Sequence, residues 1–203
     1  MDDEELGIKV TLIGEASVGK TSIINKYCKD KFDEDLDSTL GANYSQKKIE
    51  KKGKKIRLDL WDTAGQEQYR AIGRHFYKES YIVCLVYDIT NHKSFENLQS
   101  IWYPELLEYG EKYKIIALIG NKIDKYLEEA VSEEEGAQFS KKIGAIFKRT
   151  SALNGTGLDD LFNLLVEKYL KDMGDNLIDN KKDKKNIKIN KEQQKNKKRA
   201  KFC

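Results

Sequence analysis

One proline, three cysteines and no long apolar run in 203 residues set the first limits on this chain. The longest apolar stretches, IVCLVY from residue 82 and IIALIG from residue 115, fall far short of the roughly 20 residues a spanning helix needs. The acidic start MDDEE lacks the apolar core of a secretory leader, and Asp2 stands where N-myristoylation requires glycine. A cytosolic chain is therefore expected. Cys28, Cys84 and Cys203 have no metal-ligand spacing and cannot all pair with one another, which suits a reducing compartment. Cys28 and Cys84 fall in apolar-periodic segments and read as core residues. Pro104 falls early in a helical pattern, where a first-turn position tolerates it.

Charge is unevenly spread. Residues 171–203 hold 12 Lys/Arg and 5 Asp/Glu, whereas residues 1–170 hold 25 and 29, so an acidic body precedes a basic tail. From residue 8 onward, short β-branched runs alternate with helical-period segments, which predicts an open, mostly parallel sheet with helices on both faces. The runs YSQKKIEKK and KIRLDLW predict a hairpin that supplies one antiparallel edge strand. A loop and short helix follow it. Helices are expected from Lys20 and near 93–109, 132–142 and 157–170. After about residue 172 the sequence is Lys/Asn-rich with few large apolar residues and reads as disordered. The division is a flexible stretch 1–7, a domain 8–171 and a tail 172–203.

GEASVGKT, Gly14 to Thr21, satisfies G-x-x-x-x-G-K-[ST] between a predicted strand and a predicted helix. Gly14 and Gly19 let the backbone turn tightly, so that successive N–H groups along Glu15, Ala16, Ser17 and Val18 face phosphate oxygens at a helix N-terminus. Lys20 neutralises the β- and γ-phosphates, the Thr21 hydroxyl is a ligand for Mg²⁺, and Ser22 closes the contact set. In WDTAGQE, Asp62 at a strand's carboxyl end faces the same phosphates and holds Mg²⁺. Gly65 is free to turn its N–H onto a γ-phosphate, and the Gln66 amide is placed to orient an attacking water. In GNKID, Asn121, Lys122 and Asp124 share one loop. The Asp124 carboxylate accepts two hydrogen bonds from guanine N1–H and the 2-amino group, a donor pair that adenine lacks, while the Lys122 stem covers a ring face. In TSAL, the Ala152 N–H is a donor for guanine O6 and Ser151 braces the loop.

Over about residues 7–171 these motifs resemble the Ras-like small GTPases, with the loops in the same order. Within that superfamily the chain is most similar to Rab proteins, through LVYDIT (85–90), WDTAGQE (61–67) and STLGANY (38–44), with Ala42 pointing to the endocytic branch. The resemblance implies the three-layer α/β fold of P-loop NTPases: about six strands, one of them an antiparallel edge strand, and about five helices. It also implies a GTP/GDP switch that hydrolyses GTP. Thr39 would place its hydroxyl on Mg²⁺, and Phe32 would flank the guanine opposite Lys122. Leu40 to Tyr44, Trp61, Tyr69 and Tyr77 would form an effector surface, with Trp61 read equally as a core aromatic. The loops 32–44 and 62–78 would order around the γ-phosphate. WYPEL at 102–106 is Rho-like, but Asp124 to Ser132 is too short for the Rho insert. An Arf-type amphipathic start is absent, and the basic tail is opposite to the acidic end of Ran.

The chain departs from the family pattern in three places. Ala16 replaces a glycine near the reacting phosphate, which predicts slow intrinsic hydrolysis. Leu153 replaces the usual lysine after Ser-Ala in the base pocket, and a single Cys203 stands where most Rabs have two cysteines. Ala200 rules out a C-a-a-X box, so Cys203 is read as a geranylgeranyl acceptor whose weak anchoring is completed by the basic tail. The expected partners are an exchange factor, an activating protein that supplies an arginine, a dissociation inhibitor or prenylation escort, effectors and a membrane. The expected location is the cytosol and the cytoplasmic face of an intracellular membrane, an endosomal one if the endocytic resemblance holds. The protein is expected to be a monomer that binds no nucleic acid. Ala16 and Leu153 motivate a rival reading, a GTP-binding scaffold with little hydrolysis. An ATP-dependent P-loop kinase has no use for GNKID.

Overall fold

Burial on both faces demands strands that are apolar throughout, and two inner strands of the sheet meet that demand. In the computed structural model, which describes residues 5–33, 39, 41–65, 80–110 and 115–174, β4 (Ile82–Asp88) and β5 (Ile115–Asn121) are buried at every position. With β1 (Leu6–Ile13), the antiparallel edge strand β2 (Ala42–Lys51), β3 (Lys54–Thr63) and β6 (Ile146–Thr150) they form one sheet in the order β2-β3-β1-β4-β5-β6. The strand order reverses at β1, and in open sheets ligands bind outside the carboxyl ends of strands at such a reversal. Register brings those ends level, through Leu12 opposite Asp62, Ile13 opposite Leu85, and Asn121 opposite both Asp88 and Thr150.

Five α-helical segments are described: α1 (Lys20–Lys29), α2 (His92–Asn97), α3 (Tyr103–Tyr109), α4 (Glu133–Ile143) and α5 over residues 158–174. Because side chains alternate along a strand, Val83, Leu85 and Tyr87 pack on one side with Phe95, Leu98, Trp102, Leu106 and Phe139. On the other, Tyr27 of α1 stacks on Phe162 of α5 with ring centroids 3.8 Å apart. The Lys47 ammonium from β2 lies 3.8 Å from the Tyr27 ring centroid and donates to the Tyr27 carbonyl at 2.6 Å. Ser132 and Glu135 form a reciprocal capping box at the start of α4, and Gly144 ends that helix in the left-handed region.

The structure adjusts several boundaries. β1 begins at Leu6, inside the stretch read as flexible, and α5 continues to residue 174, past the boundary read at 171. The chain divides between Leu165 and Val166 into two units. The sheet and the site belong to the first, and residues 166–174 are the described part of the second. Pro104 does stand in the first turn of an α-helical segment, α3, but that segment continues directly from α2 through a π-helical turn, Leu98–Trp102. Proline lacks an N–H and collides with the carbonyl four residues back, so the ladder widens and the Tyr103 N–H reaches the Leu98 carbonyl. The short helix read after β3, and the tail from residue 175, lie outside the described residues.

The β2–β3 turn contains only Lys52 and Gly53, with φ of 52° and 70°. Two positive φ values mark a type I′ turn, which favours Asn-Gly, whereas lysine is strained there. Lys52→Asn is therefore expected to stabilise the protein by about 0.5–1 kcal/mol, a Tm rise of roughly 1–3 °C for a domain of this size in thermal unfolding. An unchanged or lower Tm would contradict the strain.

Candidate functional site

The loop from Gly14 to Gly19 leaves β1 and enters α1, with Gly14, Ser17 and Gly19 at φ of 144°, 62° and 96°. A side chain on Gly19 would collide with the Asn121 amide. A side chain on Gly65 would meet the main chain of Glu15 and Ala16, so the segment leading to Gln66 is pressed directly against the loop. Lys20 is buried and staples the loop, donating to the carbonyls of Gly14 at 2.9 Å and Glu15 at 2.7 Å. Burial lowers its pKa to about 8, against the opposing pull of Asp62 and Glu15. A polyphosphate beside it restores the charged form. The side chains of Glu15 and Val18 turn away from the cleft. Glu15 accepts from the Trp102 indole at 2.9 Å, and Val18 is buried.

Asp62, at the end of β3, is 2% exposed. Its Oδ2 accepts from the hydroxyls of Thr21 at 2.7 Å and Thr39 at 3.1 Å, and those hydroxyls lie 3.0 Å apart. Its Oδ1 is buried with no hydrogen-bond partner. Burial holds the carboxyl above the usual range, and Thr21, Lys20 and Thr39 offset this only partly. A divalent cation fits that orphaned oxygen. Among the described residues no three His, Cys, Asp or Glu side chains gather for a metal, so the available donors are one carboxylate and two hydroxyls. Such an oxygen set suits Mg²⁺, which keeps waters and substrate phosphates as its other ligands.

The base end is assembled around Asn121, which is 1% exposed. Its amide donates to the Val18 carbonyl at 3.0 Å, and its oxygen accepts from the Thr150 hydroxyl at 3.1 Å and the Ala152 N–H at 3.2 Å. The Ala152 N–H, read as the donor to guanine O6, is thus already engaged, and O6 must compete with Asn121 for it. The Ser151 hydroxyl donates to Asp124 Oδ1. Lys122 has a φ of 71°, which turns the chain sharply, and its ammonium is held by Asp88 Oδ2 at 2.6 Å. Thr90 in turn donates to Asp88 Oδ1 from its backbone at 2.9 Å and its hydroxyl at 2.8 Å.

A cavity of about 480 Å³ joins the two ends. Ala16, Ser17, Gly19, Lys20, Thr21, Ser22, Phe32, Thr39, Gly65, Asn121, Lys122, Asp124, Ala152 and Leu153 line it. Gly14, Glu15, Val18, Ser151 and Asp62 support that wall from behind. Gln66, Leu40, Tyr69, Tyr77 and Cys203, with residues 34–38 of the first loop and 66–78 of the second, lie outside the described residues. Tyr44 is 49% exposed beside the half-buried Trp61, with ring centroids 5.2 Å apart. Trp61 is therefore neither a fully buried core aromatic nor fully exposed. The Asp88 and Trp102 contacts were missed in the sequence. A carboxylate at the carboxyl end of β4 was the available signal for Asp88. The Trp102–Glu15 contact spans 87 positions and leaves no local trace.

A phosphate-binding loop, an acid with two hydroxyls, and a base-edge carboxylate on adjoining strand ends make a purine-nucleotide site. The Ras family model matches residues 9–171. The chain belongs to the Ras family. Among curated relatives of this GTPase, the Ras-related protein RABA4b of Arabidopsis thaliana is 38% identical over 158 residues, which is 78% of this chain and 70% of the relative. Human Ras-related protein Rab-21 is 38% identical over 162 residues, covering 80% and 72%. Rab11C of Lotus japonicus is 38% identical over 162 residues, covering 79% and 74%. The chain is a Rab-like small GTPase, and a role in membrane trafficking accords with these relatives. Family members bind GTP, GDP and Mg²⁺.

If Asp88 fixes the ammonium that covers the base, Asp88→Ala is expected to speed GDP dissociation about tenfold, the loss of one charge-assisted contact. Stopped-flow with a fluorescent GDP analogue reads this. A wild-type rate would show that Lys122 needs no holder.

Proposed function

We propose that this GTPase is a slow, regulated switch whose signal lasts as long as Ala16 allows. The observation that carries the reading is the close approach of Gly65 to the main chain of Glu15 and Ala16. Gln66 follows at once in the sequence and Ala16 lines the cavity, which supports a role for the Ala16 methyl in how the attacking water is oriented. Water adds to the γ-phosphorus as the bond to the β–γ bridging oxygen breaks, giving GDP and phosphate. Lys20 offsets the charge on the phosphate oxygens, the loop N–H groups fix their position, and Gln66 aligns the water by donating and accepting together. Thr21, Thr39 and Asp62 would hold Mg²⁺, which when bound neutralises charge on the β- and γ-oxygens. Asp124 reads the guanine edge, Lys122 and Phe32 cover its faces, and Leu153 borders the pocket.

The nucleotide state is passed on through the loops 32–44 and 62–78 to effectors at the Tyr44–Trp61 surface. An activating protein supplies the missing arginine, an exchange factor opens the site, and a dissociation inhibitor or escort handles a lipid on Cys203. The lipid and the basic tail together hold the protein on the cytoplasmic face of an endosomal membrane.

Single-turnover phosphate release separates this reading from a non-hydrolysing scaffold. Ala16→Gly is expected to raise the intrinsic rate several-fold, to about tenfold, and Gln66→Leu to lower it by a similar factor or more, with GTP affinity little changed in either. Equal rates for wild type and Gln66→Leu would remove the water-orienting role. No release from the wild type, even with an activating protein present, would establish the scaffold.

A further inference from the structure

We propose that the tip of the β2–β3 hairpin is a second membrane contact, an electrostatic foot that binds anionic phospholipid headgroups. The proposal rests on the membrane-associated reading above. Residues 47–57 hold seven Lys/Arg and one Glu, whereas the rest of residues 1–170 holds 18 Lys/Arg and 28 Asp/Glu. One hairpin therefore carries a net charge of +6 on a body that is otherwise −10.

Part of this charge is used internally. Lys47 turns in to Tyr27, while Lys48 and Arg57 pair with Glu5 at 2.8 and 3.4 Å. The tip differs. Lys52, Gly53, Lys54 and Lys55 are exposed in succession, and among the described residues Lys52 and Lys54 have no ion-pair partner. Lys52 also stands at a positive-φ turn position that asparagine or glycine would fill with less strain, so turn geometry does not account for a lysine here.

Topology gives the tip a direction. Ile56, three residues past Gly53 of the turn, is level with Leu6 at the start of β1, whereas the nucleotide loops leave the carboxyl ends of β1, β3, β5 and β6. β3 spans ten residues, so the tip is about 30 Å from that end of the sheet. A membrane touching the tip leaves the nucleotide face open to regulators. The chemistry favours a lipid surface over an acidic protein. Protein interfaces are built on aromatic and Arg anchors and are depleted in lysine, and the tip offers an exposed run of lysines with no aromatic residue between 47 and 57.

The test uses the full-length, unlipidated, GDP-loaded chain in sedimentation with phosphatidylcholine vesicles, with and without phosphatidylserine, at low salt. Lys52→Glu/Lys54→Glu is expected to weaken binding to the anionic vesicles about tenfold or more, with no change on neutral ones. Lys141→Glu/Lys142→Glu, the same charge change at the far edge of the sheet, is expected to change binding less than about twofold. The milder Lys52→Asn/Lys54→Gln and GDP retention guard against misfolding. Undiminished binding by the hairpin variants would overturn the proposal and leave an acidic protein as the candidate partner. Equal losses in both charge-reversal pairs would also overturn it, because net charge alone would then explain the effect. Lipid anchoring is tested separately by Cys203→Ser in the prenylated protein, so failure of that reading does not alter the vesicle result.

Discussion

A single buried amide joins the halves of the site. Asn121, at the end of β5, donates to the phosphate-binding loop at Val18 and accepts from Thr150 and Ala152. An asparagine is suited to this because one side chain offers both donors and an acceptor with two lone pairs. Removing it would leave a carbonyl and an N–H without partners in a buried place, and buried polar groups without partners are costly. The distance between phosphate cradle and base pocket therefore rests on one residue, and the spacing fits a nucleotide because the strand ends are level.

Around that clamp the protein holds two opposite charges out of water. Lys20 and Asp62 are both nearly fully buried, and burial is the largest influence on each, lowering the first pKa and raising the second. Neither is a stabilising surface pair. Their arrangement makes sense as charge placed in advance for a polyphosphate and a cation, because interactions in such a site need no rearrangement when the substrate arrives. The glycines contribute in the same way. Gly19 and Gly65 are positions where any side chain strikes Asn121 or the loop main chain, so the contacts that fix the loop also exclude larger residues.

Much of this was legible in the sequence because the chemistry is local. G-x-x-x-x-G-K-T, D-T-A-G-Q and N-K-x-D each begin at or just after the carboxyl end of a strand, and each holds its chemical groups within a few residues of one another. The sheet was legible for a related reason: the apolar inner strands β4 and β5 and the β-branched runs of the others alternate with helix-period segments. What escaped is non-local or conformational. The Trp102 indole meets Glu15 only through the fold, and Asp88 holds Lys122 across neighbouring strand ends. The π-helical turn before Pro104 depends on a helix that begins well upstream of it, and the left-handed Lys52 contradicts its own turn preference. The engagement of the Ala152 N–H by Asn121 likewise could not be read from T-S-A-L.

The proposed switch would recognise the guanine of GTP by hydrogen bonding and the γ-phosphate by charge. The most direct measurement is competition between GTP and ATP for the Mg²⁺-supplemented full-length protein, by displacement of a fluorescent GDP analogue. The Asp124 carboxylate predicts a GTP affinity higher by at least about a thousandfold, since the wrong base offers it no matching pair of donors. Comparable displacement by ATP and GTP would contradict the account.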